Sequence, residues 1–318
     1  MPSLRRQKRF VLCAVDADVE GQVRSRRRQW NRARWDGSVV DSLRRLYTRV
    51  DVIGVEDGST AGWPAVAESG ADVVFNLALS AMSSEAAFVA FLQSAGLRHT
   101  GSGMLALALS NDKIRSRMLL AAAGVRVPRF VALAPGASLL EIDLTPPVIV
   151  KPASQASAYG VSRDSVVMTC REALERARRI WKRFDEPAVC DEFIRGREFR
   201  AGFLEGPRKR MRIAGLAEYS FAEGEHGFRI EGDRKGQRLR PRRVPPALGT
   251  EMTAIAQTAC DTLGIRGYVS LDLRLDSFGR FTVLEVNANP GLSSDSTVWA
   301  ARGFDRNIRD IVDAALRG

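Results

Sequence analysis

Two carboxylates and one amide near the C-terminus have the types and spacing that point most directly to a chemistry. The segment GYVSLDLRLDSFGRFTVLEVNANPG predicts two strands, at about 268–276 and 281–288, joined by a symmetric four-residue turn. That register places Asp272 opposite Glu285, with Asn287 on the same face because strand side chains alternate. The opposite face is apolar and would belong to the core, with Leu271, Leu273, Leu275, Leu284 and Val286.

Carboxylates that face each other across a strand pair repel and destabilise it, so a cation is expected between them. Two carboxylates and an amide oxygen are hard ligands that suit Mg²⁺ carrying nucleotide phosphates. The alternative is an amphipathic edge hairpin with solvated acids. The exit sequence NANPG is not ordinary turn chemistry and favours the metal interpretation.

Lysine is scarce in this chain, which makes the positions that keep it informative. Only six of the 48 basic residues are lysines, and two of them are Lys113 in SNDK and Lys151 in VIVKPAS. Lysine is a compact point charge suited to phosphate. Lys151 ends a buried apolar strand and would point toward the small-residue loop 153–160, ASQASAYG, whose backbone could approach phosphate. Without Lys151, that loop is equally compatible with a plain surface hairpin.

The order of motifs resembles a known superfamily. DK, IVKP, VCDEFIRGREF, LDLRLD and LEVNANPG follow one another as in ATP-grasp enzymes, and FNLALS…AGLRHTGSG is similar to the D-alanine–D-alanine ligase-like branch of carboxylate–amine ligases. The resemblance covers about residues 70–305. It implies an α/β (α+β), three-lobed ATP-grasp fold with an open α/β N-terminal domain. The predicted limits are 1–96 for an N-terminal α/β substrate domain, 97–186 for a central lobe and 187–318 for a C-terminal lobe with the metal hairpin.

The resemblance also implies ATP and Mg²⁺ as cofactors, and a role for each matched residue. Lysine side chains would contact the ATP phosphates or the adenine side, a hinge backbone would read adenine, and Glu198 would accept hydrogen bonds from the ribose. The residues implied to bind ATP are Lys113, Lys151, Asp191, Glu192, Phe193, Ile194 and Glu198.

A second set of matched residues would hold the metal and assist the reaction. Asp272, Glu285 and Asn287 would bind Mg²⁺. Ser157 matches a loop serine that positions phosphate and substrate, and Ser296 a residue that holds the second substrate. The backbone N–H of Gly291, helped by Arg274, would stabilise an oxyanion.

Departures from the family pattern concern the amino-acid pocket. Leu79 stands where the D-alanine ligases carry a histidine, Ser270 where they carry an oxyanion arginine, and Asp295 where they carry a second histidine. Their N-terminal glutamate has only a loose match in Glu20, and Lys235 could replace their lid lysine, in the glycine-containing segment 223–236 that we predict to be a lid. The nucleotide chemistry is thus expected to be intact and the D-alanine pocket altered.

Composition sets further bounds. The chain has 318 residues, 45% of them hydrophobic, which suffices for two or three lobes with a sizeable core. Four cysteines without CxxC spacing indicate reduced thiols, and two histidines exclude a multi-histidine metal site. The basic segment 24–35, with Trp30 and Trp35, could be a nucleic-acid patch or a solvated helix with inward tryptophans. The helix is preferred, so nucleic acid is not expected as a partner.

Targeting signals are not expected. Asp16 and Asp18 interrupt the apolar run after Phe10, and no apolar window approaches the length of a membrane-spanning helix. The sequence therefore predicts a cytoplasmic protein that acts without a membrane, with a homodimer left open.

The predicted function is ATP-dependent joining of a small-molecule carboxylate to an amine through an acyl phosphate, on amino-acid-like substrates other than D-alanine. Two alternatives stay open. One is another ATP-grasp phosphoryl-transfer enzyme, and the other is a basic nucleic-acid-binding protein with a relic ATP site.

Overall fold

Three β-sheets organise the chain in a mixed α/β fold, as the sequence predicts. The structure is a computed structural model, in which the part of the chain that is described comprises residues 7–16, 37–55, 59–78, 82–155, 158–221, 227–228, 230, 237–242, 245–294 and 296–317. In this part of the chain, no helix is both long enough and apolar enough to span a bilayer.

The first sheet is parallel, with strand order β2-β1-β3, and confirms the predicted open α/β arrangement at the N-terminal end. Val11 and Cys13 pack on one face of β1 and Leu12 and Ala14 on the other, so the sheet is covered on both sides. The strands are β1, Gln7–Asp16; β2, Tyr47–Val55; and β3, Val73–Leu77. The helices are α1, Ser38–Leu46; α2, Trp63–Ala67; and α3, Met82–Ser94.

The second sheet is antiparallel, with order β4-β7-β5-β6, and it carries Lys151. Its strands are β4, Phe130–Leu133; β5, Val148–Pro152; β6, Val166–Val167; and β7, Ala188–Glu192. One face is covered by the helix Cys170–Phe184, whose N-cap Thr169 forms a capping box with Glu172. The predicted lobe boundary at 186/187 precedes β7, whereas the pairing of β7 with β4 and β5 favours a boundary after Glu192.

The third sheet is antiparallel, with order β10-β9-β8-β11-β12. Its strands are β8, Arg197–Glu205; β9, Met211–Phe221; β10, Gln237–Pro241; β11, Tyr268–Leu275; and β12, Phe281–Asn287. The remaining helices, in chain order, are α4, Met104–Asn111; α5, Lys113–Ala122; α6, Cys170–Phe184; α7, Pro246–Leu263; and α8, Phe304–Arg317. Helices α4, α5 and α7 bury the apolar face of this sheet.

The hairpin β11–β12 corrects one residue of the predicted core face. Its loop has five residues, between the paired Leu275 and Phe281, and a bulge follows because Leu284 has no partner on β11. The two irregularities compensate, so Asp272 still pairs with Glu285. The bulge turns Leu284 out of the core and into a cleft, and Val283 takes its place in the core.

Two glycines let the chain that follows the metal hairpin lie directly on the third sheet. A Cβ on Gly202 would lie 2.4 Å from Val298 Cγ1, and a Cβ on Gly215 would lie 2.1 Å from the Val298 carbonyl oxygen. Trp299 and α8 complete this layer and join it to the first sheet in one core. The third sheet is therefore packed on both faces, by α4, α5 and α7 on one side and by this layer on the other.

Gly215→Ala should destabilise the protein, because the added methyl group meets a backbone oxygen that cannot move like a side chain. We expect a loss of about 1–3 kcal/mol in the free energy of unfolding, measured by denaturant titration. Gly37→Ala is the matched control, since nothing lies within 4 Å of its added Cβ. An equal effect of the two substitutions would contradict the close approach.

Candidate active site

A cleft of about 760 Å³, counting its open mouth, lies between the second and third sheets. Strands β5 and β7 form one wall, and β8, β11 and β12 form the other, with the start of α5 between them. The structure brings ten of the predicted site residues to this cleft. They are Lys113, Lys151, Asp191, Glu192, Phe193, Ile194, Glu198, Asp272, Arg274 and Glu285.

Lys151 is held by a buried ionic chain. Its Nζ lies 3.0 Å from Asp191 Oδ2, and the other carboxylate oxygen of Asp191 accepts from Arg117 Nη1. Burial lowers the pKa of Lys151, and the carboxylate of Asp191 opposes that shift. Asp191, predicted as an adenine-hinge residue, thus also orients the lysine that would face phosphate.

Arg117 was not predicted, although the sequence holds a signal for it. It lies four residues after Lys113 on α5, and residues at that spacing share a helix face. Its guanidinium is 2% exposed, and Nη2 donates to the Leu284 carbonyl at 3.1 Å. Arg117 therefore links Asp191 on β7 to the bulge of the metal hairpin.

Lys113 lies at the first position of α5, where the side chain of Asp112 caps the helix by accepting from the amides of Ile114 and Arg115. Its Nζ donates to the Gln155 carbonyl in the small-residue loop and lies 3.7 Å from Glu285 Oε1. The side chain is buried. One lysine thus joins the helix, the loop and the metal hairpin.

Arg274 corrects an expectation, because its contacts belong to the hinge. Its Nη1 donates to the Ile194 carbonyl at 2.7 Å, and its Nη2 donates to Glu198 Oε2 at 2.7 Å and to the Gly227 carbonyl at 2.6 Å. The guanidinium also lies 5.2 Å from the centre of the Phe193 ring. These contacts place Arg274 against the predicted hinge, and none of them supports the predicted oxyanion role.

The opposed carboxylates are neutralised by two cations from the protein itself. Arg200 on β8 pairs in register with Asp272 and donates to both of its oxygens, each at 2.8 Å, while Lys113 faces Glu285. Burial alone would lower the pKa of Arg200, but the charge of Asp272 outweighs it and the pKa is raised. Sequence reasoning expected a cation at this point and did not find Arg200.

The donor set fits a hard divalent cation. Asp272 is buried, Glu285 is half-buried, and the buried Asn287 Nδ2 has no hydrogen-bond partner. In the described part of the chain no group of three acidic, histidine or cysteine side chains could hold a metal. A third protein ligand at this point would have to be a neutral oxygen, which the predicted ligand Asn287 could supply.

The remaining predicted residues lie away from the cleft or outside the described part of the chain. Gly291 and Ser296 follow β12 and are half-buried, and Ser296 Oγ accepts from the Trp299 amide at 3.5 Å. The residues outside the described part are Glu20, Leu79, Ser157, Lys235 and Asp295, together with 24–35 and most of 223–236.

The thiols agree with the expected reduced state. In the described part of the chain all four cysteines are free. Burial raises the pKa of Cys13 and Cys190 to about 12, so these two remain protonated and unreactive near neutral pH.

Comparison with known proteins identifies the family to which this chain belongs. The family model "D-ala D-ala ligase C-terminus" matches residues 119–314. The chain belongs to the D-alanine–D-alanine ligase family. It is 30% identical over 254 residues to D-alanine–D-alanine ligase B of Chromobacterium violaceum, covering 77% of this chain and 80% of that protein. It is 29% identical over 282 residues to the D-alanine–D-alanine ligase of Pseudomonas putida, covering 88% and 85%.

The fold agrees with this membership. The crystal structure of D-alanine–D-alanine ligase from Bacillus anthracis complexed with ATP superposes with a TM-score of 0.77, at 18% identity and 98% coverage of both chains. The predicted ATP-grasp fold is thereby confirmed. This member of the family is an ATP-dependent carboxylate–amine ligase.

Proposed function

We propose that the protein uses ATP to activate the carboxylate of one amino acid and joins it to the amine of a second. The observation that carries this proposal is one cleft lined by two lysines, one buried and one half-buried, and by two opposed carboxylates. Lys113 and Lys151 come from the phosphate side, and Asp272 and Glu285 from the hairpin side. Phosphoryl transfer consists mostly of positioning and charge neutralisation, and these residues supply both.

The reaction has two steps. First, a carboxylate oxygen of the acid attacks the γ-phosphorus of ATP, the bond to the β,γ-bridging oxygen breaks, and an acyl phosphate and ADP form. Second, the amine attacks the acyl carbon, giving a tetrahedral oxyanion. When the oxyanion collapses, phosphate leaves with the electron pair of the C–O bond and the amine loses a proton, giving an amide. No covalent enzyme intermediate is needed.

The described residues divide this work between two ends of the cleft. At the nucleotide end, Glu198 has one oxygen bound to Arg274 and would accept from the ribose. At the phosphate end, the ion pair with Asp191 orients Lys151 toward the transferred group. Mg²⁺ held by Asp272, Glu285 and Asn287 would neutralise phosphate charge.

The choice of acid is the finer part of this proposal. The relatives are named D-alanine–D-alanine ligases, which makes D-alanine the first substrate to test. Against it stand Leu79 and Asp295 in place of two histidines and Ser270 in place of an arginine, so the pocket lacks the family's cationic and imidazole groups. A pocket without its polar clamp binds a small polar amino acid weakly, so we propose a larger or more apolar amino acid as the preferred acid.

Incubation with Mg²⁺-ATP and pairs of amino acids, watched for phosphate release and for product masses, tests both levels of the proposal. We expect one pair to give a new amide mass together with phosphate. We expect D-alanine alone to react at least about 100-fold more slowly than that pair.

The outcomes separate the two levels. Efficient synthesis of D-alanyl-D-alanine would contradict the altered specificity and leave the ligase function standing. Phosphate release without an amide mass would favour another phosphoryl-transfer chemistry. No ATP turnover with any pair, together with salt-dependent binding of DNA or RNA, would favour the nucleic-acid alternative.

A further inference from the structure

Arg200 is a cation beside the two hairpin carboxylates that the proposed reaction does not yet use. It lies on β8 opposite Asp272, and its Nε and Nη2 donate to the two oxygens of that carboxylate, each at 2.8 Å. The guanidinium also lies 5.9 Å from the centre of the Tyr219 ring. The side chain is only 28% exposed, so its charge acts in a partly enclosed environment beside Asp272.

The position of Arg200 matters because β11 lacks the arginine that the D-alanine ligases carry there. The D-alanine ligases carry an arginine two residues before the metal aspartate, and here that residue is Ser270, which is buried. Residues two apart on a strand are about 7 Å apart on one face, and directly paired residues on adjacent strands have Cβ atoms about 5 Å apart. An arginine side chain that starts opposite Asp272 therefore reaches the same region of this face as one that starts at position 270.

The space beside Ser270 is filled by the chain itself. Ser270 pairs with Gly202, and the Cβ that Gly202 lacks would lie 2.4 Å from Val298. The segment after the metal hairpin thus fills the face beside Ser270. In the next pair along the strands, Asp272 lines the cleft, and the guanidinium of Arg200 lies directly behind it, in hydrogen-bond contact with both carboxylate oxygens.

We propose that Arg200 supplies, from β8, the guanidinium that the family carries on β11, and that it stabilises the charge that develops on the reacting oxygens. This inference rests on the proposed ligase function. A cation bound by Asp272 would compete with Arg200 for the electron density of the same carboxylate and weaken its hydrogen bonds, so the N–H groups of Arg200 could also donate to another acceptor. The oxygens of phosphate and of the tetrahedral oxyanion are acceptors that match the planar fork.

The test compares Arg200→Gln with Arg197→Gln. Arg197 lies on the same strand and also forms a bidentate pair, with Glu218, but on the opposite face. Turnover is measured as phosphate release with the wild type's preferred substrate pair. Binding of Mg²⁺ with a non-hydrolysable ATP analogue is measured by calorimetry, which reads the site without turnover.

We expect Arg200→Gln to lower kcat by at least about 100-fold, as loss of an oxyanion donor does, with analogue affinity within about threefold of wild type. Arg197→Gln should leave both unchanged. If Arg200 is only the counter-ion of Asp272, Arg200→Gln will bind Mg²⁺ at least as tightly and turn over like the wild type, and the inference is overturned.

If Arg200→Gln does not fold, a second variant, Arg200→Lys, tests the same inference. Arg200→Lys keeps a charge beside Asp272 but loses the fork. A fall of about tenfold or more in kcat at unchanged analogue affinity supports the inference, and wild-type kcat overturns it. Failure of the proposed function is distinguished from either result, because in that case the wild type itself releases no phosphate with any pair.

Discussion

Replacing Asp272 by Asn or Glu285 by Gln should nearly abolish turnover. Each substitution removes one of two carboxylates that face each other in the cleft, and the charge neutralisation that a held cation gives is worth several kcal/mol, so a loss of more than about 100-fold in phosphate release is expected. Calorimetry with Mg²⁺ and an ATP analogue should show weaker metal binding in both variants. Asp276→Asn, at the tip of the same hairpin, is the control and should keep both.

The two variants should differ in stability without ligands. Repulsion between the carboxylates would by itself make either variant more stable. For Asp272 the structure reverses that expectation, because its loss leaves the half-buried guanidinium of Arg200 without its bidentate partner, at a cost of about 1–3 kcal/mol. For Glu285 the relief of repulsion offsets the lost contact with Lys113, and the change should be small. Wild-type phosphate release in both variants would show that the metal assignment is wrong.

Lys151→Ala should weaken ATP binding by about 10- to 100-fold, the value of a charged contact with phosphate. The fold should survive, because Arg117 still neutralises Asp191 when the lysine is gone. Lys182→Ala, at an exposed position of α6, is the matched control and should bind ATP like the wild type. Calorimetric titration measures both, and equal affinities would remove the special role of Lys151.

Lys151 also sets the pH dependence of binding. Burial lowers its pKa, so the side chain loses its charge at a lower pH than an exposed lysine does. As the pH is raised, the affinity of the wild type for ATP should therefore begin to fall at a pH lower than the ordinary pKa of lysine. Lys151→Ala should lack that step, and an identical alkaline fall in both proteins would assign it to another group.

Local pattern was sufficient to predict the parts of the site that lie within one segment. Lys151 follows from its place at the end of an apolar run, and Asp272 and Glu285 from strand alternation, although their direct pairing depends on a five-residue loop and a bulge that compensate for each other. The bulge at Leu284 was not predictable. Both Val283 and Leu284 are apolar, so the sequence is equally consistent with a core face that contains either residue.

Contacts between distant segments were the part that the sequence did not reveal. Arg200 and Asp272 are 72 residues apart, and Arg117 and Asp191 are 74 apart, so each pair depends on the order of strands and helices in space. The same cause explains the lobe boundary predicted at 186/187. Strand β7 is next to the hinge in sequence, but its hydrogen bonds place it in the second sheet.

The scarcity and burial of lysine give this protein an unusual response to amine-directed chemistry. Lys113 and Lys151 lie inside the cleft, whereas Lys8, Lys182 and Lys209 are exposed. Most of the positive surface is arginine, which acylating reagents leave unmodified. Mild acylation should therefore mark a few outer lysines first, and the two cleft lysines would become a slow-reacting pair whose labelling, followed by peptide mass mapping, reports whether nucleotide covers them.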